Sequence, residues 1–214
     1  YEEERELPVH IFLDASESMS FGEPRKFLFA QQVAAAVGYV ALCGFDRVTV
    51  TPYPDHPEEA AARGALRSVR GKKSALTLFR NLEQLTAQGA ADFNEALRRA
   101  ALQTRRTGLA VVLSDFLDPA GYEGGLSALL GRGFQISAVQ ILSPEEVAPA
   151  TYGDLRLVDA ETGAQQEVTF GRYRLKAYQQ TVANFCQRLR EHCQARGIHF
   201  FRTRNNANKK TGAV

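Results

Sequence analysis

The segment Val9–Ser18 reads VHIFLDASES and joins a short apolar run directly to a loop rich in oxygen-bearing side chains. The apolar part, Val9–Leu13, has the composition of a strand that is buried on both faces of a sheet. Asp14, Ser16 and Ser18 follow it at alternate positions, so one tight loop carries a carboxylate and two hydroxyls. Because hard cations such as Mg²⁺ prefer oxygen ligands, the segment predicts a buried strand that ends in a cation-binding loop.

Apolar strands and amphipathic helices alternate along the rest of the chain. Strands are predicted at Leu109–Leu113 and Ile136–Leu142, and long helices at Phe27–Cys43 and Tyr173–Ala195. This alternation predicts an α/β fold, with a Rossmann-like, doubly wound, mostly parallel central sheet and helices on both faces. Shorter elements are predicted at Val48–Thr51, Leu66–Val69, Ser74–Leu85, Leu126–Leu130 and Ile198–Phe201.

A change of pattern after the third long strand indicates an added β-hairpin. Leu155–Val158 and Glu167–Phe170 have the composition of strands, and Glu161–Gly163 lies between them as a turn. We therefore expect a single domain over residues 1–204 with a hairpin insertion at about 154–171. Residues 205–214 are expected to form a disordered tail.

A second acidic residue, Asp115, follows the predicted strand Leu109–Leu113 much as Asp14 follows the first. Parallel α/β sheets bind ligands beyond the carboxyl ends of their strands, where the strand order reverses, so the two acids should converge if their strands are neighbours. A site that combines a small number of carboxylates with neutral oxygens suits Mg²⁺ or Mn²⁺. Such a site leaves the ion able to bind a further carboxylate from a partner protein. The structural alternative is that Ser16 and Ser18 satisfy turn amides and Asp14 caps the loop.

The same segments resemble a known family. Asp14–Met19 (DASESM) is similar to the first motif of von Willebrand factor A domains, and Ser114–Asp118 (SDFLD) to their third. Leu155–Gly163 and the opening Tyr1–Glu6 narrow the resemblance to a bacterial family, the domain of unknown function fifty-eight. The likeness covers nearly the whole chain, from Tyr1 to about Arg202. It implies a von Willebrand factor A type fold with a metal-ion-dependent adhesion site at the carboxyl edge of the sheet.

The resemblance also implies a partner. Members of that family are typically encoded beside MoxR-type AAA+ ATPases and are thought to act as their partners or adaptors. We therefore expect a non-enzymatic protein-interaction module whose partner, such an ATPase or its client, presents a carboxylate to the ion. In full-length members a further segment precedes this domain, and in some of them so do membrane helices.

One position departs from the family pattern. The second motif of such domains supplies a threonine at the start of a helix, and here Ala91 stands in its place. Alanine offers no oxygen, so the metal site should be weakened. Asp92, next to it, could compensate through its carboxylate or through water, although Glu95 three residues later also makes Asp92 a helix N-cap. The predicted metal ligands are thus Asp14, Ser16, Ser18, Asp115 and Asp92.

Two other function classes stay open. In the first, the metal site has degenerated and the domain binds its partners without a cation, as the loss at Ala91 suggests. The second is a phosphohydrolase of the haloacid dehalogenase type, but such enzymes need a second aspartate two residues after the first, where this chain has Ser16. A glycine-rich phosphate loop is also missing, so no catalytic residues are assigned.

Composition restricts the partners further. The chain has 26 basic and 24 acidic residues, a balance too even for a general nucleic-acid surface. Three cysteines make no disulfide framework, which favours a reducing, cytoplasmic compartment. No uninterrupted apolar run reaches the roughly 18 residues of a membrane span, so we expect no membrane contact within this chain, while an anchor upstream of it stays open.

Overall fold

The computed structural model describes residues 6–54, 66–149, 153–158, 163 and 165–204. The strands are β1 (Pro8–Asp14), β2 (Arg47–Tyr53), β3 (Leu66–Arg70), β4 (Leu109–Ser114), β5 (Gln135–Leu142), β6 (Gly153–Val158), β7 (Gln165–Phe170) and β8 (His199–Arg204). The helices are α1 (Lys26–Cys43), α2 (Ala75–Gln84), α3 (Phe93–Gln103), α4 (Glu123–Gly131), α5 (Pro144–Val147) and α6 (Arg172–Ala195). Short 3-10 helices cover Glu17–Ser20 and Lys72–Ser74.

The predicted fold class is confirmed by the sheet, which has the strand order β3-β2-β1-β4-β5-β8. All neighbouring strands run parallel except β2 and β3, which are antiparallel. From β1 the chain moves outward through β2 to β3, and it then returns to place β4 on the other side of β1. The order therefore reverses between β1 and β4, which is where α/β sheets of this kind bind ligands.

Two hydrophobic cores lie on opposite faces of the sheet. Successive side chains of β1 point to opposite faces, so Ile11 and Leu13 enter one core and Phe12 enters the other. The first core is closed by α1 and α2, and the second by α3, α4 and α6. The continuous apolar composition of β1 therefore correctly predicted a strand that is buried on both faces.

Among the described residues, α1 is the one helix that is long and apolar enough to cross a bilayer, by length and composition alone. The expectation of no membrane contact did not foresee such a helix. In this fold its buried face includes Ala30, Ala34 and Leu42, which belong to the first core. Gly38 lets the helix approach α2 closely, since a Cβ there would lie 2.6 Å from Cδ2 of Leu78. Part of its apolar surface is thus buried in the first core, while Leu28 and Val40 are exposed.

The predicted hairpin is present. Strands β6 and β7 form a separate antiparallel sheet in which Gly153 pairs with Phe170 and Val158 pairs with Gln165. The turn between them lies outside the described residues apart from Gly163. Residues 1–5 of the opening segment also lie outside the described residues, as does the predicted tail 205–214.

We expect Gly108→Ala to destabilise the fold by about 1–3 kcal/mol, because added volume in a packed region forces the backbone apart. A Cβ at Gly108 would lie 2.2 Å from the carbonyl oxygen of Pro8, at the start of the β1–β4 pairing. Urea unfolding of the variant and of wild type measures the difference. Gly131→Ala is the control, since its Cβ would meet nothing within 4 Å. Equal stability of the Gly108 variant and wild type would contradict the expectation.

Candidate functional site

The pairing of β1 with β4 brings the two predicted acids to one edge of the sheet. Leu13 lies opposite Leu113 in the parallel register, so Asp14 and Ser114 come next, side by side. Oγ of Ser114 donates a hydrogen bond of 2.6 Å to Oδ2 of Asp14. Asp115 follows, and its Oδ2 lies 3.5 Å from Oγ of Ser18. Asp14, Ser16, Ser18 and Asp115 therefore form one cluster, hereafter the oxygen cluster.

The first loop is held by hydrogen bonds that start from Asp14. Its Oδ1 accepts from the amide of Ser16 at 3.0 Å and from the Ser16 hydroxyl at 2.7 Å. The hydroxyls of Ser16 and Ser18 are 3.0 Å apart, and the 3-10 helix Glu17–Ser20 turns the chain immediately after. Through these bonds Asp14 caps the loop, as the structural alternative predicted. They also hold Oδ1 of Asp14 and the two serine hydroxyls close together.

The oxygen cluster fits a small divalent cation by its chemistry. With bonds of about 2.0–2.1 Å, neighbouring oxygens of an octahedral Mg²⁺ shell lie ~2.9 Å apart. The separations of 2.7 and 3.0 Å in the cluster are close to that value, and the separation of 3.5 Å between Ser18 and Asp115 is wider. Within the described ranges no group of three or more histidine, cysteine, aspartate or glutamate side chains is placed to hold a metal. An ion here would therefore depend on the serine hydroxyls as well as on the carboxylates.

The loop after β4 is strained at Phe116, whose φ of 61° lies in the left-handed region. A non-glycine residue in such a conformation costs about 1–3 kcal/mol unless its surroundings hold it there. The amide of Phe116 donates to Oγ of Ser114, and its buried ring packs 5.3 Å from Phe93 and 6.3 Å from Tyr122 between centroids. The amide of Leu117 then donates to Oδ1 of Asp115 at 2.9 Å. This bend fixes the direction of the Asp115 carboxylate.

Lys26 is the main residue that sequence reasoning missed. It is the first residue of α1, fully buried, and its Nζ lies 2.6 Å from Oδ2 of Asp115 and 2.6 Å from Oε1 of Glu146. Burial lowers the pKa of Lys26, but the charges of Asp115 and Glu146 raise it more, so the side chain stays an ammonium. Neither ion pair has a local sequence signal, because the partners are 89 and 120 residues away.

Glu146 is itself held in place by the start of α5. Its Oε2 accepts from the amide of Ser143 at 2.8 Å, and Oγ of Ser143 accepts from the amide of Glu146, which is a capping box. Burial raises the pKa of Glu146, and Lys26 opposes that rise. Glu146, in the helix that follows β5, thus places a third carboxylate near the oxygen cluster. The ammonium of Lys26 links this carboxylate to Asp115.

The second-motif residues are placed differently from the other predicted ligands. Asp92 is the N-cap of α3, as its spacing to Glu95 predicted, and its Oδ1 accepts from the amide of Glu95 at 2.8 Å. Among the hydrogen bonds of the described residues, none joins Asp92 to the oxygen cluster. Ala91 is half-buried and packs against the second core. The loop before α3 nevertheless touches the first loop, since the amide of Glu17 donates to the carbonyl of Gly89 at 2.8 Å.

The side chains around the cluster divide into core and surface. Met19 and Phe116 are buried, whereas Phe21 is 49% exposed and Leu117 is 42% exposed. Phe21 follows the first loop and Leu117 follows Asp115, so two apolar side chains stand at the edge that carries the cluster. Asp118, which was not predicted as an anchoring residue, accepts from the amide of Phe93 at 2.8 Å and ties this edge to α3.

Comparison with known proteins identifies the family. The model of the family described as "Protein of unknown function DUF58" matches residues 1–188. The chain belongs to this family. Rv1480, an uncharacterized protein of Mycobacterium tuberculosis, is 29% identical over 169 residues, which is 77% of this chain and 51% of that protein. MAV169, an uncharacterized protein of Mycobacterium avium, is 41% identical over 75 residues, or 35% of this chain and 42% of that protein. The chain thus spans about half the length of these curated relatives.

Solved structures support the fold. The conserved hypothetical protein BatB from Bacteroides thetaiotaomicron superposes with a TM-score of 0.54 at 17% identity, covering 94% of this chain and 91% of that one. An aerotolerance-related membrane protein from Bacteroides fragilis gives a TM-score of 0.54 at 18% identity, covering 93% and 92%. At these identities the likeness concerns the fold alone. The strand order of this DUF58 domain, with its reversal beside β1, agrees with the predicted doubly wound α/β fold.

The protonation of Asp14 should make stability depend on pH. Burial, and then the charge of Asp115, raise the pKa of Asp14 from 3.8 to about 7 in the folded protein. The folded state therefore holds more protons than the unfolded state between about pH 4 and pH 7, and stability from this group falls as the pH rises through that range. Asp14→Asn has no proton to lose there, so its stability should lack this decline.

Urea unfolding in metal-free buffer between about pH 5 and pH 8 measures the effect. The free energy of unfolding of wild type, minus that of Asp14→Asn, should decrease up to about pH 7 and be constant above it. Titrating groups that do not interact with Asp14 contribute equally to both proteins, so they cancel in the difference. Parallel curves over the whole range would show that Asp14 titrates as it does in the unfolded chain.

Proposed function

We propose that this DUF58 domain is a non-enzymatic protein-interaction module that binds Mg²⁺ or Mn²⁺ in the oxygen cluster. The observation that carries the proposal is the convergence of Asp14, Ser16, Ser18 and Asp115 at the switch point of the sheet. Two carboxylates and two hydroxyls would fill about four of the six positions around a bound Mg²⁺, so coordination positions stay open. When bound, the ion would supply an open coordination position for an anionic oxygen.

The residues of this chain would have distinct parts in recognition. Asp14 orients the serine hydroxyls, and the strained bend at Phe116 aims the carboxylate of Asp115. The exposed side chains of Phe21 and Leu117 would contact apolar surface next to the partner's carboxylate, as apolar side chains do at the centre of protein interfaces. A partner segment with an aspartate or glutamate beside apolar residues therefore fits this edge.

The partner that we propose is a MoxR-type AAA+ ATPase or its client. This part of the proposal rests on what the resemblance of the sequence motifs to the DUF58 family implies. Cys43, Cys186 and Cys193 are free thiols, which suits a domain on the cytoplasmic side of the membrane.

A metal-independent module is the second candidate. It is favoured by Lys26, whose ammonium already contacts Asp115, and by Ala91, which gives the second motif no oxygen. In that case the same edge would bind its partner through Phe21, Leu117 and the loop backbone. The two candidates differ in what a chelator does to partner binding.

Calorimetric titration with Mg²⁺ and Mn²⁺ tests the cation site. Wild type should bind one ion saturably, and Asp14→Ala should abolish the binding because it removes a carboxylate and the anchor of the Ser16 hydroxyl. Ser18→Ala, at a less buried position, should weaken binding by roughly tenfold through loss of one ligand oxygen. Asp46→Ala, at the opposite edge where Asp46 accepts from the amide of Leu7, is the control. No saturable heat up to millimolar ion in wild type would reject the cation site.

Asp92→Ala separates a ligand role from a capping role. We expect a loss of stability of about 1 kcal/mol, because the N-cap acceptor for the amide of Glu95 is removed. The affinity for Mn²⁺ should stay close to that of wild type, since Asp92 is held at the helix cap. A large loss of Mn²⁺ affinity would instead make Asp92 a ligand that replaces the missing threonine oxygen.

Partner binding distinguishes the two candidate modules. Binding of a purified MoxR-type ATPase should fall roughly tenfold or more when EDTA replaces Mg²⁺, because the partner carboxylate loses its ion. Phe21→Ser should weaken the same interaction without changing Mg²⁺ affinity. Binding that is indifferent to EDTA but lost in Phe21→Ser would favour the metal-independent module.

A further inference from the structure

The ammonium of Lys26 and the hydroxyl of Ser18 both contact the same atom of the oxygen cluster, Oδ2 of Asp115. Oδ2 of Asp115 is 2.6 Å from Nζ of Lys26, and it also lies 3.5 Å from Oγ of Ser18. The other oxygen of Asp115 accepts the amide of Leu117. A cation held by Ser18 and Asp115 would therefore share its carboxylate oxygen with a positive charge that belongs to the protein.

We propose that Lys26 is a built-in counter-ion that holds Asp115 in its binding position when no metal is present and competes with the divalent cation for Oδ2 of Asp115. The inference rests on the cation site proposed above. A fully buried ammonium must be paired, because burial of an isolated charge is very unfavourable, and its pairing with Asp115 makes the metal-free arrangement stable. The domain then keeps its loop geometry at low ion concentration but binds the ion weakly.

Glu146 gives the ammonium a second partner, which makes the competition reversible. Nζ of Lys26 is equally close to Oε1 of Glu146, at 2.6 Å. When a divalent ion takes over Asp115, Lys26 keeps one carboxylate and is not left as an unpaired buried charge. The side chain of Glu146 is fixed by its capping box with Ser143, so this second partner stays in place in either state.

A charge-balanced double variant, Lys26→Met/Glu146→Gln, tests the competition. It removes one positive and one negative charge, so the net charge around the oxygen cluster equals that of wild type. Methionine is unbranched and fills the volume of the lysine stem. Without the ammonium, Mn²⁺ should bind roughly tenfold more tightly or better, as measured by calorimetry and by the rise in Tm with Mn²⁺. An unchanged or lower affinity in the folded variant would overturn the inference.

Single variants keep the test decisive if the double variant does not fold. Glu146→Gln leaves the ammonium with Asp115 as its only carboxylate, so Mn²⁺ should bind roughly threefold more weakly. Glu145→Gln is the matched control, since it removes the same charge from the exposed neighbouring residue, which makes no contact with Lys26. Equal Mn²⁺ affinities of these two variants would overturn the competition.

The wild-type titration separates this inference from the proposed cation site. Binding in wild type that is lost in Asp14→Ala, together with no gain in the double variant, rejects the role of Lys26 and leaves the cation site standing. Binding that appears only in the double variant rejects the proposed cation site of the wild-type protein but supports the competition, because the ammonium then occupies the site. No binding in any folded protein of the series rejects both.

Discussion

The parallel pairing of β1 with β4 is the constraint on which the rest of this molecule depends. It fixes the carboxyl ends of two neighbouring strands at the same height, with Leu13 opposite Leu113. A shift of one residue would turn Asp14 away from Ser114 and would also exchange the faces on which Ile11, Phe12 and Leu13 lie. The two hydrophobic cores therefore enforce the register that builds the site. Stability of the sheet and geometry of the cluster are set by the same contacts.

This register brings several negatively charged side chains together in a region shielded from solvent. Asp14 and Asp115 are both buried, and Glu146 lies close by. The molecule has three means of neutralising them, which are a proton on Asp14, the ammonium of Lys26, and a divalent ion in the proposed site. The proton acts on Asp14 and the ammonium pairs with Asp115 and Glu146, whereas a divalent ion would act on Asp14 and Asp115 together. The domain can therefore be expected to respond to both pH and ion concentration, with the folded state preserved throughout.

Sequence reasoning succeeded where a local pattern reflects a local cause. The strand that ends at Asp14, the helix that begins at Lys26 and the N-cap at Asp92 all follow from neighbours within a few residues. It failed for Lys26 as a partner of Asp115, because a lysine at a helix start is ordinarily solvated and the contact joins residues 89 positions apart.

The left-handed backbone at Phe116 links the site to the interior of the protein. The rings of Phe93 and Tyr122, from the first turn of α3 and the residue before α4, hold Phe116 in that conformation. The aim of the Asp115 carboxylate is consequently decided by residues that never approach an ion. Two relatives with identical loop motifs could differ widely in affinity through substitutions in this aromatic layer. Inheritance of the motif alone is therefore a poor guide to how strongly a family member binds.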